Sequence, residues 1–209
     1  MSMCNCKVFI SYYHDDDQFY KNSLIGTNYL YDIFVDNSVN TGDIDDENMT
    51  DEEIRVKIRD EYIKDADVFI LLCGRNTKHR KHVDWEIHAA MYKNNDKKPI
   101  PILVLNLPSS RNACRKNCES DKRIIEKQLQ RTCNWVSLDS YSKYKEFYPD
   151  LPERILKSIA NKNSQITVAN YYGLTAQDLA NLIIESYKRS DTIEYDDSEP
   201  LRRKDGTNE

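Results

Sequence analysis

Apolar and polar positions along the chain alternate between two periods. KVFISYY (7–13) is a short run of apolar, β-branched and aromatic residues, and YLYDIFVD (29–36) partly alternates. DVFILLCG (67–74) is an almost continuous apolar run, the pattern of a strand buried on both faces, and PIPILVLNL (99–107) resembles it. NWVSL (134–138) is shorter and weaker. These five segments are read as strands. Between them the spacing changes to that of helices. Thr50 and Glu53 form a capping-box pattern, followed by Ile54, Ile58 and Tyr62 every four residues. Over 82–93, Val83, Ile87, Ala90 and Met91 make one apolar stripe, and helices are also read over 14–25, 119–131 and 151–161.

Strands alternating with helices predict an α/β fold with a parallel sheet and right-handed crossovers. Five strands suggest the flavodoxin-like order 2-1-3-4-5, with helices on both faces. In such sheets ligands bind beyond the carboxyl ends of the strands, where the strand order reverses. Here that point lies between strands one and three. It gathers residues 11–14, residues 74–76 and the first turn of the helix carrying Glu86, with DNSVNTGD (36–43) able to fold over the crevice. After about residue 162 the alternation stops. The chain is therefore divided into a domain over 1–162 and an extension over 163–209. The extension holds one helix over 173–190, with Thr175 as N-cap and Leu179, Leu182, Ile183 and Ile184 as an apolar stripe expected to pack on the core, then a charged tail expected to be mobile.

Composition narrows the function classes. The 209 residues are 39% hydrophobic, enough for one packed domain with an appendage. A net charge of −5 without a basic face argues against nucleic acid and anionic membrane surfaces as partners. No apolar stretch reaches the roughly 20 residues of a membrane span, and the N-terminus lacks a signal-peptide pattern. A cytoplasmic protein is expected, with its six cysteines reduced. Cys4, Cys6, Cys114 and Cys118 fit zinc-site spacing poorly, and no metal is expected.

Most catalytic patterns are missing. The third strand ends in Cys73-Gly74-Arg75, without the acid that a phosphoryl receiver needs, and the run Asp15–Asp17 suits a helix N-terminus. The chain has five glycines and neither a Walker A loop nor a GxGxxG motif. His79, His82 and His88 read as parts of a polar loop and helix rather than a metal cluster. Glu86 remains. It sits one helical step, about 100°, from Ile87 at the flank of the apolar stripe. It reads either as a rim acid paired with Arg80 or as a carboxylate facing the crevice.

The residues also carry a resemblance. VFISYYH, DNSVNTGD and IRDEYIKDADVFILLCGRNTKHRKHVDWEIHAA resemble the TIR-like family of bacterial Thoeris anti-phage defence, over roughly residues 7–138. VFISY resembles the first TIR box, and DNSVNTGD sits where TIR domains have their BB loop. The resemblance implies a flavodoxin-like fold. It also implies cleavage of the nicotinamide–ribose bond of NAD by a glutamate in the helix after strand three, a role that falls on Glu86. NAD is then a substrate, and no cofactor is implied. The product would be a cyclic ADP-ribose-type signal read by a separate nucleotide-sensing effector, with self-association through the TIR-like domain. One departure stands out: many TIR enzymes have tryptophan four residues before the acid, where this chain has His82, while Trp85 adjoins Glu86. Phe9, Ser11 and Tyr12, with Ser38 and Asn40 from the covering loop and Asn76, are placed near the nucleotide. Phe9 and Tyr12 read equally well as core aromatics, and Asn40 as a turn former. The alternative function is a non-catalytic TIR-like scaffold.

Overall fold

The computed structural model describes residues 5–38, 49–93, 98–115, 123, 126, 136, 138, 140–160 and 164–206. Five parallel strands form one sheet in the order β2-β1-β3-β4-β5. They are β1 (Lys7–Ser11), β2 (Val35–Asp36), β3 (Val68–Cys73), β4 (Ile102–Asn106) and β5 (Thr167–Asn170). The helices are α1 (His14–Tyr31), α2 (Asp51–Lys57), α3 (Lys81–Met91), α4 (Tyr141–Phe147), α5 (Glu153–Ala160) and α6 (Ala176–Tyr187). This is the expected α/β TIR-like order. β3 and β4 are buried at every position, as their continuous apolar runs require of strands covered on both faces.

The pleat divides the core in two. Phe9, Phe69, Leu71 and Val104 face the cluster built on α2, α3, α4 and α5. Val8, Ile10, Ile70, Leu72, Leu103 and Leu105 face the cluster that includes Leu24 of α1 and Leu179, Leu182 and Ile183 of α6. The apolar stripe of α6 therefore packs on the core as expected, and its start carries a second capping box, Thr175 with Asp178. The Thr50–Glu53 capping box is present too. Beyond α2 the chain does not stay α-helical. Ile58–Tyr62 is a π-helical turn, closed by the Ile63 N–H on the Ile58 carbonyl.

Three expectations about the elements are corrected, and one about the cysteines. The segment 29–36 is mostly helix end: α1 runs to Tyr31 and stops at Asp32 in the left-handed region (φ 49°). The Asn28 side chain takes the Ile33 and Phe34 N–H groups and donates to the Phe34 carbonyl, so only Val35 and Asp36 are left to pair with β1. The fifth strand is 167–170, not 134–138. Thr167–Asn170 pairs with Leu103–Asn106 in register, while Val136 and Leu138, the described residues of NWVSL, pack half-buried against the α3-side cluster. Part of the extension drawn at residue 163 thus completes the sheet. The helix read over 119–131 lies outside the described residues apart from Arg123 and Glu126.

The charged tail is the third correction. Ile193 and Leu201 are buried, and the Tyr195 hydroxyl donates to the Ile100 carbonyl and accepts from the Ile102 N–H at the start of β4. Charge alone suggested a solvated tail, but two apolar anchors and a set of backbone contacts hold residues 191–206 against the domain. Cys73 and Cys114 are buried thiols outside any disulfide, whereas Cys6 is disulfide-bonded, unlike the reduced state expected. Among the described residues no helix is long and apolar enough to cross a membrane.

Candidate functional site

Strand parity builds the centre of the site. Ser11 follows Phe9 by two residues on β1, so its side chain points to the same face, toward α3. On α3, Val83, Ile87, Ala90 and Met91 seat the helix on the sheet and bring Glu86 over the end of β1. The Ser11 hydroxyl donates to Glu86 Oε2 at 2.6 Å, with both residues buried. Glu86 is 7% exposed. That excludes the rim-acid reading, and Arg80 is engaged elsewhere, with its guanidinium 3.8 Å from the centre of the Tyr13 ring and paired with Asp205.

Burial dominates the electrostatics of Glu86. Loss of water pushes its carboxyl up to about 7, against the Ser11 hydrogen bond, which favours the charged form. The group is thus balanced between its acid and its anion near neutrality. Tyr12 lies close enough to feel it: burial raises the phenol, the Gln18 hydrogen bond opposes this, and the Glu86 charge raises it further. The Tyr12 ring stacks on His14 at 4.3 Å and donates its hydroxyl to Gln18 at 2.8 Å. Tyr12 is half-buried and His14 exposed, an aromatic pair whose phenol senses the Glu86 charge.

The other sequence-derived candidates fall in different places. Ser38 is half-buried at the β2 side, accepting the Ile10 N–H at 3.2 Å, one residue from Ser11. Asn76 donates to Asp16 at 2.8 Å, which ties it to the start of α1. Phe9 is a correction: it is buried to 1% and stacked on Phe69 at 5.6 Å, a core aromatic on the same face as Ser11 but two residues deeper along β1. Asn40 lies outside the described residues. Trp85 is fully buried, with its Nε1 donating to the Arg202 carbonyl at 2.6 Å, so it is a packing residue that also holds the tail.

The sequence gathers His14 at the crevice without showing its stacking on Tyr12, and it does not single out Asp17. Asp17 looked like Asp15 and Asp16, but it is the member of that run turned to the sheet. It is buried to 2% and accepts from the Thr77 hydroxyl at 3.2 Å, while the Thr77 oxygen takes the Gly74 N–H at 2.9 Å. Burial, opposed by the Thr77 hydrogen bond, lifts Asp17 to about 6. This bridge pins the start of α1 to the loop after β3 at the strand-order reversal. The one-turn offset of Asp17 from Tyr13, whose carbonyl takes its N–H, was the available signal. Cys73, beside the bridge, is wholly buried, which pushes its thiol far above the ordinary range. Among the described residues no three His, Cys, Asp or Glu side chains converge on a position for a metal ion.

The arrangement offers one buried carboxylate, oriented by a hydroxyl and flanked by stacked rings, at the carboxyl edge of a parallel sheet. Comparison with curated proteins gives no match. Residues 9–112, the stretch from β1 to just past β4 that contains Ser11 and Glu86, match the family described as Thoeris protein ThsB, TIR-like domain.

Proposed function

We propose that the protein is an NAD-consuming enzyme of anti-phage defence. It cleaves the bond between nicotinamide and ribose and releases a cyclic ADP-ribose-type signal for a separate nucleotide-sensing effector. The observation that carries this reading is the buried Ser11–Glu86 pair at the strand-order reversal of a Thoeris TIR-like domain. In the reaction the C1′–N1 bond breaks and its electron pair goes to the pyridine nitrogen. Nicotinamide therefore leaves neutral and needs no general acid. Positive charge develops on the ribose, as in glycoside cleavage. The Glu86 carboxylate stabilises that charge in a site from which water is largely excluded. Ser11 orients Glu86, and the Tyr12–His14 surface offers a stacking face for a flat heterocycle. Capture of the ribosyl centre by a nucleophile of the same molecule closes the ring, and capture by water gives ADP-ribose.

The test is nicotinamide release from NAD, with and without extract of phage-infected cells, for the wild type and Glu86→Gln. A fall of roughly 10²-fold or more is expected in the variant. Equal yields from the two proteins overturn the role of Glu86.

One observation favours a second reading. Phe19, Tyr29, Leu30 and Tyr31 of α1 are all more than half exposed, an apolar surface suited to assembly. If NAD survives every triggering condition while the protein self-assembles, the chain is a TIR-like scaffold.

A further inference from the structure

Residues 202–206 lie against the helix that carries Glu86, and the contacts concentrate on that helix's first turn. The flanking residue Arg80 makes no side-chain cap, so α3 begins with N–H groups that its own sequence leaves uncapped. Asp205 supplies the missing cap from 124 residues away: its Oδ1 accepts the Lys81 N–H at 2.8 Å, and its carboxylate faces the positive end of the helix dipole. The Gly206 N–H donates to the His79 carbonyl at 2.7 Å. The Arg202 N–H donates to Asp84 Oδ2 at 2.9 Å, and the Arg202 carbonyl receives Trp85 Nε1. Positions 79, 81, 84 and 85 are all held by residues 202–206, and Glu86 comes next.

The same stretch reaches a second element. Arg203 donates to the Met49 carbonyl at 2.9 Å and pairs with Asp51, the first residue of α2. Leu201, buried in the α3-side core, anchors the stretch from behind. The short Ser11–Glu86 hydrogen bond tolerates little movement of α3, and a displacement of about 1 Å at a reacting group can cost roughly 10²-fold in rate.

We propose that residues 202–206 are a strap that positions α3, with Asp205 its principal positioning residue, and that the strap thereby fixes Glu86 against Ser11. The inference rests on the role given to Glu86 above, but its structural half is measured without NAD.

The experiment compares the full chain with Asp205→Ala, Asp205→Asn and a chain ending at Leu201, which keeps the core anchor. Amide hydrogen exchange reads α3 directly. Asp205→Ala is expected to speed exchange in the first turn of α3 about fivefold, the ordinary effect of losing a cap, with the rest of the sheet unaltered. Asp205→Asn keeps an oxygen for the Lys81 N–H and is expected to restore slow exchange. The shortened chain is expected to exceed both. With NAD, Asp205→Ala is expected to lower kcat with KM little changed, and Asp205→Asn to recover most of it. Unaltered exchange at 81–86 in Asp205→Ala overturns the proposal, as does faster exchange with kcat intact. A failure of Asp205→Asn to rescue overturns the capping assignment. If the wild type never releases nicotinamide, the NAD reading falls alone, and the exchange pattern still decides whether the strap holds α3.

Discussion

Ser11 on β1 and Glu86 on α3, 75 positions apart, share a 2.6 Å hydrogen bond in a buried setting. The hydroxyl and the carboxylate are coupled: burial lifts the carboxyl to about 7, and the serine favours its anion. If the anion stabilises a developing ribosyl cation, kcat for NAD cleavage rises with pH as Glu86 ionises, through a midpoint of about 7. Ser11→Ala removes the bond that favours ionisation, so the acid limb moves to higher pH. A hydrogen bond to a charged group is worth about 1.5–3 kcal/mol, so the rate at neutral pH falls about tenfold and recovers in alkali. Initial rates of nicotinamide release across pH check this. A limb that stays in place in Ser11→Ala separates the serine from the ionisation of Glu86.

The same carboxyl affects stability with a sign opposite to that of most acids. Its folded value, about 7, lies above its ordinary 4.5. Between these two values the folded protein binds more protons than the unfolded chain, so stability falls as pH rises through that window and stays reduced above it. Glu86→Gln removes the buried charge. It is expected to leave stability at pH 4 nearly unchanged and to raise it above pH 7 by up to about 3 kcal/mol. Urea denaturation of both proteins at the two pH values measures the difference. A variant less stable than the wild type in alkali would show that Glu86 contributes to holding the fold.

The sheet was legible where the rules are local. β3 and β4 showed themselves as unbroken apolar runs, and Thr50–Glu53 and Thr175–Asp178 mark their helix starts within four residues. What depends on distant pairing was not legible. NWVSL and ITVAN are equally short, and only the pairing of 167–170 with β4 decides which becomes the edge strand. The tail's charges suggested solvent because their partners, Arg154, Lys157 and Asp51 among them, lie on other elements of the domain, far off in sequence. At the site, the helical stripe placed Glu86 beside the crevice, but its burial needed the Ser11 contact, which parity on β1 fixes. Phe9 shares Ser11's face but lies two residues deeper in the sheet, so its place along β1 rather than its parity puts it in the core.

Gly74 lies where α1 meets the loop after β3. A Cβ built there would stand 2.7 Å and 2.8 Å from the two carboxylate oxygens of Asp17, which is held by Thr77 and cannot swing clear. Gly74→Ala is expected to destabilise the fold by about 1–3 kcal/mol, the usual cost of overpacking. In the double variant with Asp17→Ala the obstacle is gone, so the two costs add to less than their sum. Thermal or urea unfolding of the four proteins gives the coupling directly. Strict additivity would mean that the close approach is relieved without Asp17.

Arg154 on α5 is fully buried and faces Asp84 on α3, with Nε and Nη2 each 3.3 Å from a carboxylate oxygen. Its other donors go to the carbonyls of Glu199 and Pro200, so one guanidinium joins α3, α5 and the residues that lead into the strap. Removing it strands a carboxylate and two carbonyls away from water. Arg154→Ala is expected to cost about 3–5 kcal/mol, the usual penalty for breaking a buried pair from one side. Arg154→Met combined with Asp84→Asn restores volume and removes the stranded charge while keeping an oxygen for the Arg202 N–H, and should recover most of that loss. Chemical denaturation reports both values. Exchange at the α3 amides in the same variants separates global loss from local loosening. If Arg154 acts mainly by holding the strap, Arg154→Ala opens the first turn of α3 at denaturant concentrations that leave the sheet protected.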